Sequence, residues 1–243
     1  MLKSVHGSYG YSRRYRIVEI AAITLFLVLI TTVGTRLILQ VDGAGTALWI
    51  AVAAFTGIVI SDFLSGAAHW AGDTLGDERT PFLGNHVIAP FRTHHVDPKG
   101  ITRHDFIEIN GNTCIALVPA LLLLAGIAPA TPGISFFVRF TLAFTCFFVF
   151  CTNQFHKWAH QSNPAAFVRF LQKRGLILSP ERHAIHHADT SDHYCITVGW
   201  MNPLLAKIGF FRLAESLVAS VSPRLLPPDF IARPLLRDRQ EIQ

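Results

Sequence analysis

Histidine is the residue whose number and spacing stand out. The chain has twelve, against two methionines, and most fall into four clusters. The first is His69-Trp-Ala-Gly-Asp73. The second is His94-His95, with Arg92 two residues before it and His104-Asp105 shortly after. The third is His156-Lys-Trp-Ala-His160 and the fourth is His183-Ala-Ile-His186-His187. On a helix, residues four apart share a face, so each i, i+4 pair presents two donors to one point. Imidazole nitrogen suits iron, zinc, copper and nickel, and a single zinc is satisfied by about three or four protein ligands. His69, His94, His95, His156, His160, His183, His186 and His187 make eight candidates, enough for two metals with positions left open for dioxygen. His6 reads as a solvated side chain, and His86 and His104 as either structural groups or partners that orient a ligand.

Other chemistries fail on spacing. The chain carries no HExxH or HxxEH for a zinc protease and no GxSxG for a serine hydrolase. It has no glycine-rich phosphate loop, and none of the Glu-x-x-His repeats of ferritin-like di-iron bundles. Cys114, Cys146, Cys151 and Cys195 form no CxxC pair, which argues against a disulfide framework or a cysteine zinc site.

The elements that must position these histidines are written in the apolar runs. Half the chain, 51%, is hydrophobic and 15% is charged, against about 25% charged in soluble domains. The expected fold is all-α and polytopic, with about four transmembrane helices at roughly 17–36, 44–70, 112–128 and 134–156. The first is not followed by the small-residue cleavage site of a signal peptide. The third run is short for a span, so it either starts earlier or sits in a thin region. Cytoplasmic segments 72–112 and 157–243 would then form a histidine-rich cap within one membrane-embedded domain. Residues 194–213, apolar but broken by Gly199, Pro203 and Gly209, read as an interfacial or re-entrant segment, and the Pro- and Arg-rich end from Ser222 as a frayed tail.

Charge gives the orientation. The two outer connections hold one basic residue, Arg36, while the remaining Lys and Arg outside the spans fall on the side that carries the histidines; the positive-inside rule makes that side cytoplasmic. The net charge of +5 and pI near 9.3 suit an anionic lipid surface. The basic residues make no continuous stripe, so nucleic acid is not an expected partner.

Taken with their flanking residues, the boxes resemble a known family. Gly66-Ala-Ala-His69-Trp-Ala-Gly-Asp73, Pro90-Phe-Arg-Thr-His94-His95-Val-Asp-Pro98, Ile101-Thr-Arg-His104-Asp105-Phe-Ile-Glu108-Ile-Asn110-Gly111, Asn153-Gln-Phe-His156-Lys-Trp-Ala-His160 and His183-Ala-Ile-His186-His187 with Tyr194-Cys-Ile-Thr-Val-Gly-Trp200-Met-Asn202 resemble the Kua/CarF-type plasmanylethanolamine desaturases. The likeness covers about residues 45–212. It departs after His187, where Ala-Asp-Thr-Ser-Asp and a later His193 stand in place of the Pro-His pair common in that family.

The resemblance implies a membrane enzyme that uses two iron ions, dioxygen and two electrons to place a vinyl-ether double bond in the 1-O-alkyl chain of an ether phospholipid. Neither haem, flavin nor ferredoxin motif occurs, so a separate electron donor, cytochrome b5-like or ferredoxin-like, is implied. Asp73, Asp105, Glu108 and Asn110, with His104, become candidates to orient imidazole N–H groups, and Asp73 also to bind metal directly. Arg92, Lys99 and Arg103 become candidates to meet the lipid phosphate. Two rivals stand beside this reading: a different membrane di-iron acyl desaturase or hydroxylase, and a non-catalytic metal carrier or sensor. The topology generates the first prediction. Reporter tags placed at the N-terminus and after Gln243 should both be cytoplasmic; either one found outside contradicts four spans.

Overall fold

The computed structural model describes residues 12–41, 43–81, 83–127 and 134–226. His6, the second outer connection and most of the Pro- and Arg-rich tail, all addressed by the sequence, lie outside the described residues. Every regular element among the described residues is helical. Four helices are long and apolar enough to cross a membrane: α1 (Arg13–Ile38), α2 (Ala44–Thr74), α4 (Phe106–Gly126) and α5 (Ile134–His160). Between α2 and α4 lies α3 (Ala89–Val96), entered through a wide π-turn at Gly84–Ile88. After α5 come α6 (Ala166–Lys173), α7 (Pro180–Ala188), α8 (Asn202–Lys207) and α9 (Phe210–Val221).

Each span reaches further than its apolar run, for local reasons. Ser12 caps α1, its side chain accepting from the Tyr15 N–H. The third span starts at Phe106, ahead of the apolar run, because Asp105 and Glu108 form a capping box: the Asp105 carboxylate accepts from the Ile107 and Glu108 N–H groups, and Glu108 accepts from the Asp105 N–H. The polar turn that hides the start of the helix from a hydropathy reading is therefore the turn that begins it. At the other ends, α2 and α5 run on through Thr74 and His160, so His69, Asp73, His156 and His160 sit on continuous helix.

α1 packs on α4, α2 on α5, and α4 on α5. Ile23 and Phe26 of α1 bury against Cys114 and Leu121 of α4, with Cys146 of α5 completing the cluster. A second cluster joins Val33, Leu37, Ala53, Leu124, Phe136 and Phe140 towards the opposite end. In lipid, apolar contact alone does not favour helix association, so close approach through small residues matters more. Gly57 of α2 meets α5 closely enough that a Cβ there would lie 2.7 Å from the Phe144 Cβ and 3.1 Å from the Thr141 carbonyl oxygen.

Beyond the spans, residues 194–213 resolve into three pieces. Tyr194 to Val198 is non-helical yet buried, at 2% exposure or less. α8 follows, and Gly209, at φ 62°, turns the chain into α9. A left-handed φ of this kind suits glycine because no Cβ opposes it.

Gly57→Leu is expected to push α2 from α5 and, since both carry histidines of the site, to lower thermal stability and bound metal together. Gly34→Ala, where an added Cβ meets nothing within 4 Å, should be neutral or slightly stabilising, by at most about 1 kcal/mol. Thermal unfolding in detergent with metal analysis on both variants checks the pair; Gly57→Leu unfolding like wild type would contradict the packing.

Candidate metal centre

Helix geometry sorts the histidines into two groups. Successive side chains diverge by about 100° on a helix while those four apart align. His156 and His160 on α5, and His183 and His187 on α7, therefore point the same way in pairs. The adjacent pairs His94-His95 on α3 and His186-His187 on α7 must split. The structure shows this division: His94, His156, His160, His183 and His187 form one group, and His69, Asp73, His95 and His186 the other, the donor atoms of each lying within 4.8 Å of one another. The groups adjoin, with His69 and His156 ring centroids 5.9 Å apart and those of His183 and His186 also 5.9 Å.

In the five-histidine group, four Nε2 atoms close a circuit. His156 lies 3.0 Å from His94 and 2.8 Å from His183, while His187 lies 3.0 Å from His183 and 3.2 Å from His94. The His160 Nε2 is buried without a hydrogen-bond partner. Metal–imidazole bonds of about 2.1 Å put neighbouring nitrogens about 3.0 Å apart at right angles and about 3.4 Å apart in a tetrahedron. The observed spacing is of the size that ligands of one metal ion adopt.

The protonation state suits the same purpose. Burial, followed by the neighbouring imidazoles His160, His187, His69 and His95, pushes His94 down to about 2. Burial and His160 bring His187 to about 4, and burial with His160 and His69 holds His183 well below the usual range. These rings are neutral at physiological pH, each with one nitrogen free to bind metal.

The second group is built around a carboxylate. Asp73 Oδ2 lies 2.9 Å from His95 Nε2, 3.3 Å from His69 Nε2 and 3.6 Å from His186 Nε2. His69 Nδ1 donates to the Tyr194 carbonyl at 3.2 Å, and His186 Nδ1 to the Asp192 carbonyl at 2.7 Å. A carbonyl only accepts, so each Nδ1 carries a proton, and each ring turns its Nε2 towards Asp73. Both of those Nε2 atoms and Asp73 Oδ1 are buried with no hydrogen-bond partner. Lone pairs and a carboxylate converging away from water repel one another unless a cation lies among them. The donor set therefore fits a metal ion in each group.

The remaining sequence candidates lie outside both groups. Arg92 donates to the carbonyls of Leu75 and Gly76, and Arg103 pairs with Asp97. His104 contacts Glu108 at 3.1 Å; Asp105 caps α4 and pairs with Arg16. Asn110 is buried and donates to the Phe106 carbonyl. His86 stacks on Tyr15 at 4.1 Å. His193 sits at φ 60° with its Nδ1 3.8 Å from Asp192. The groups that do orient His69 and His186 are main-chain carbonyls of Tyr194 and Asp192, for which no side-chain type gives a signal.

The profile of the lipid desaturase domain matches residues 58–224. The chain is 46% identical over 210 residues to a protein of Myxococcus xanthus named plasmanylethanolamine desaturase, a match covering 86% of this chain and 74% of that one. It is 40% identical over 176 residues to plasmanylethanolamine desaturase 1 of Mus musculus, covering 68% and 64%. With fatty acid desaturase 4, chloroplastic, of Arabidopsis thaliana it shares 36% identity over 171 residues, covering 68% and 50%. The chain thus spans less than two thirds of the mouse and plant relatives. No solved structure matches it. A family profile spanning all the clustered histidines, on a chain whose described residues form only helices, four of them of membrane length, and gather histidines that could hold metal, makes the chain a member of the lipid desaturase family of membrane oxidoreductases.

Proposed function

We propose that this protein is a plasmanylethanolamine desaturase, acting on the 1-O-alkyl chain of an ethanolamine ether phospholipid at a pair of iron ions on the cytoplasmic side of the membrane. The observation that carries the reading is the pairing of a five-histidine group with an adjoining group of three histidines and Asp73, in a chain 46% and 40% identical to two proteins of that name. Bound iron would supply, with dioxygen, an oxidant strong enough for an unactivated C–H bond, which acid–base chemistry at neutral pH does not reach. The balance is simple: two hydrogens leave adjacent carbons beside the ether oxygen, and with two further protons and two electrons from a separate donor the dioxygen ends as two waters.

The chain's own residues do the holding. His94, His156, His160, His183 and His187 would supply five nitrogens to one iron, and His69, His95, His186 and Asp73 three nitrogens and an oxygen to the other. The Tyr194 and Asp192 carbonyls fix two of those rings. His69 and His186 are fully buried, which keeps bulk water from their ring nitrogens. Of the three candidate cations near the phosphate, Arg92 is engaged by the Leu75 and Gly76 carbonyls. Arg103 is paired with Asp97, which leaves the exposed Lys99 the better placed for it. The cytoplasmic face rests on the basic-residue count.

Acyl-lipid desaturation is the second reading, favoured by the 36% identity to the plant fatty acid desaturase. Expression in a host that makes alkyl ether phospholipids but lacks plasmalogens separates the two, because vinyl ethers release aldehydes in acid and ordinary alkenes do not. Mass spectrometry should find acid-labile vinyl ethers; an acid-stable alkene in an acyl chain would favour the second reading. In the same host, His186→Ala and His156→Ala should abolish product. His193→Ala should keep it, since its ring belongs to neither group. Asp73→Asn measures what the carboxylate does: as a metal ligand its loss should remove iron as well as activity. As a mere orienting group it should cost about 10–100-fold.

A further inference from the structure

Asp62 is fully buried on α2, two helical turns before His69, and has no part in the chemistry above. Its carboxylate is nonetheless fully engaged by one stretch of main chain. Oδ1 accepts the Val198 and Gly199 N–H groups at 2.8 Å each, and Oδ2 accepts the Met201 N–H at 2.9 Å. One turn on, the Ser65 hydroxyl accepts the Ile196 N–H at 3.0 Å. Gly66 lies so close that a Cβ there would meet the Cys195 Sγ at 2.6 Å. The next contact along the same helix is the Tyr194 carbonyl on His69 Nδ1.

Positions 62, 65, 69 and 73 follow helical spacing, so they form one stripe. The first two dock the 194–201 segment and the last two belong to the metal centre. The segment lies antiparallel to the stripe, so its later residues meet Asp62 and its first residue meets His69. Non-helical backbone is tolerated inside a membrane protein only where its polar groups find partners, and here α2 supplies them in a fixed register. The Asn202 side chain adds two bonds to Cys195, at 2.8 and 3.0 Å. Arg182 of α7 donates to the Val198 carbonyl at 2.9 Å, which ties the segment to the helix carrying His183, His186 and His187.

We infer that Asp62 is a positioning residue for the metal centre: by clamping three N–H groups of residues 198–201 it sets the register that aims the Tyr194 carbonyl at His69 Nδ1. The inference rests on the metal-binding reading of the two groups but not on the identity of the lipid. Asparagine at this position keeps one oxygen for two of the N–H groups and turns an amide N–H₂ against the third, so Asp62→Asn loosens the clamp without opening a large cavity.

The test uses full-length protein in detergent, loaded with Fe(II) without oxygen, and follows three readouts: iron per chain, iron release to a chelator, and amide exchange of residues 195–201. Wild type retaining iron against the chelator establishes that the groups bind metal; wild type taking up none overturns that reading and this inference with it. Given binding, Asp62→Asn should raise exchange in the segment and speed iron release by about 10–100-fold, with Ser65→Ala moving both in the same direction by less. Thr141→Val, a buried hydroxyl on α5 with no partner, should change neither. Faster exchange in Asp62→Asn with wild-type iron release would overturn the inference, because the segment would then be loose without effect on the metal. Iron loss that merely parallels a fall in thermal stability, reproduced by Gly57→Leu to the same extent, would overturn it too, by reducing Asp62 to a general stabilising role.

Discussion

Imidazole lone pairs brought together away from water repel one another, and the architecture of this protein follows from that constraint. Four Nε2 atoms about 3 Å apart and a carboxylate facing three more form an arrangement that a chain stabilises only with cations in its midst. Holding it ready requires rigid elements from every side. The protein uses the last turns of two membrane-length helices, α2 and α5, and two short helices, α3 and α7, laid across their ends. Positions on regular helices hold side chains more tightly than loops do, and all eight clustered histidines are on helices.

The outer parts of the fold serve those four helices. Gly57 lets α2 and α5 meet closely, which brings His69 beside His156. α1 and α4 back this pair. α4 begins at a capping box beside the α3 region, where Lys157 of α5 donates to the His104 carbonyl and Asn153 to the Ile109 carbonyl. The 194–201 segment is an irregular stretch that reaches the centre, and it does so with its backbone groups matched to side chains on α2.

The parts of this account legible in the sequence are those carried by residue type and period. The four apolar runs located the spans, and the clusters named the histidines and Asp73 that the structure gathers. The i, i+4 pairs and adjacent pairs also contained the division into two groups, since helix phase alone separates His94 from His95 and His186 from His187. What stayed hidden has physical reasons. The start of α4 was masked by polar residues that cap it. The orienting partners of His69 and His186 are the carbonyls of Tyr194 and Asp192, a group that every residue possesses, whereas residue type can point only to acids and amides such as Asp105, Glu108 and Asn110. Asp62 was invisible because an acid inside an apolar run gains meaning only from the distant backbone it meets.

The central claim is that two metals occupy two unlike groups, one all-nitrogen and one containing the Asp73 carboxylate. Mössbauer spectroscopy of anaerobically purified, ⁵⁷Fe-loaded protein tests it most directly. The account predicts close to two irons per chain with two distinct high-spin ferrous signals of equal area, one of them altered by Asp73→Asn and the other unchanged. One iron per chain in active protein, or full activity with a single zinc, would contradict it.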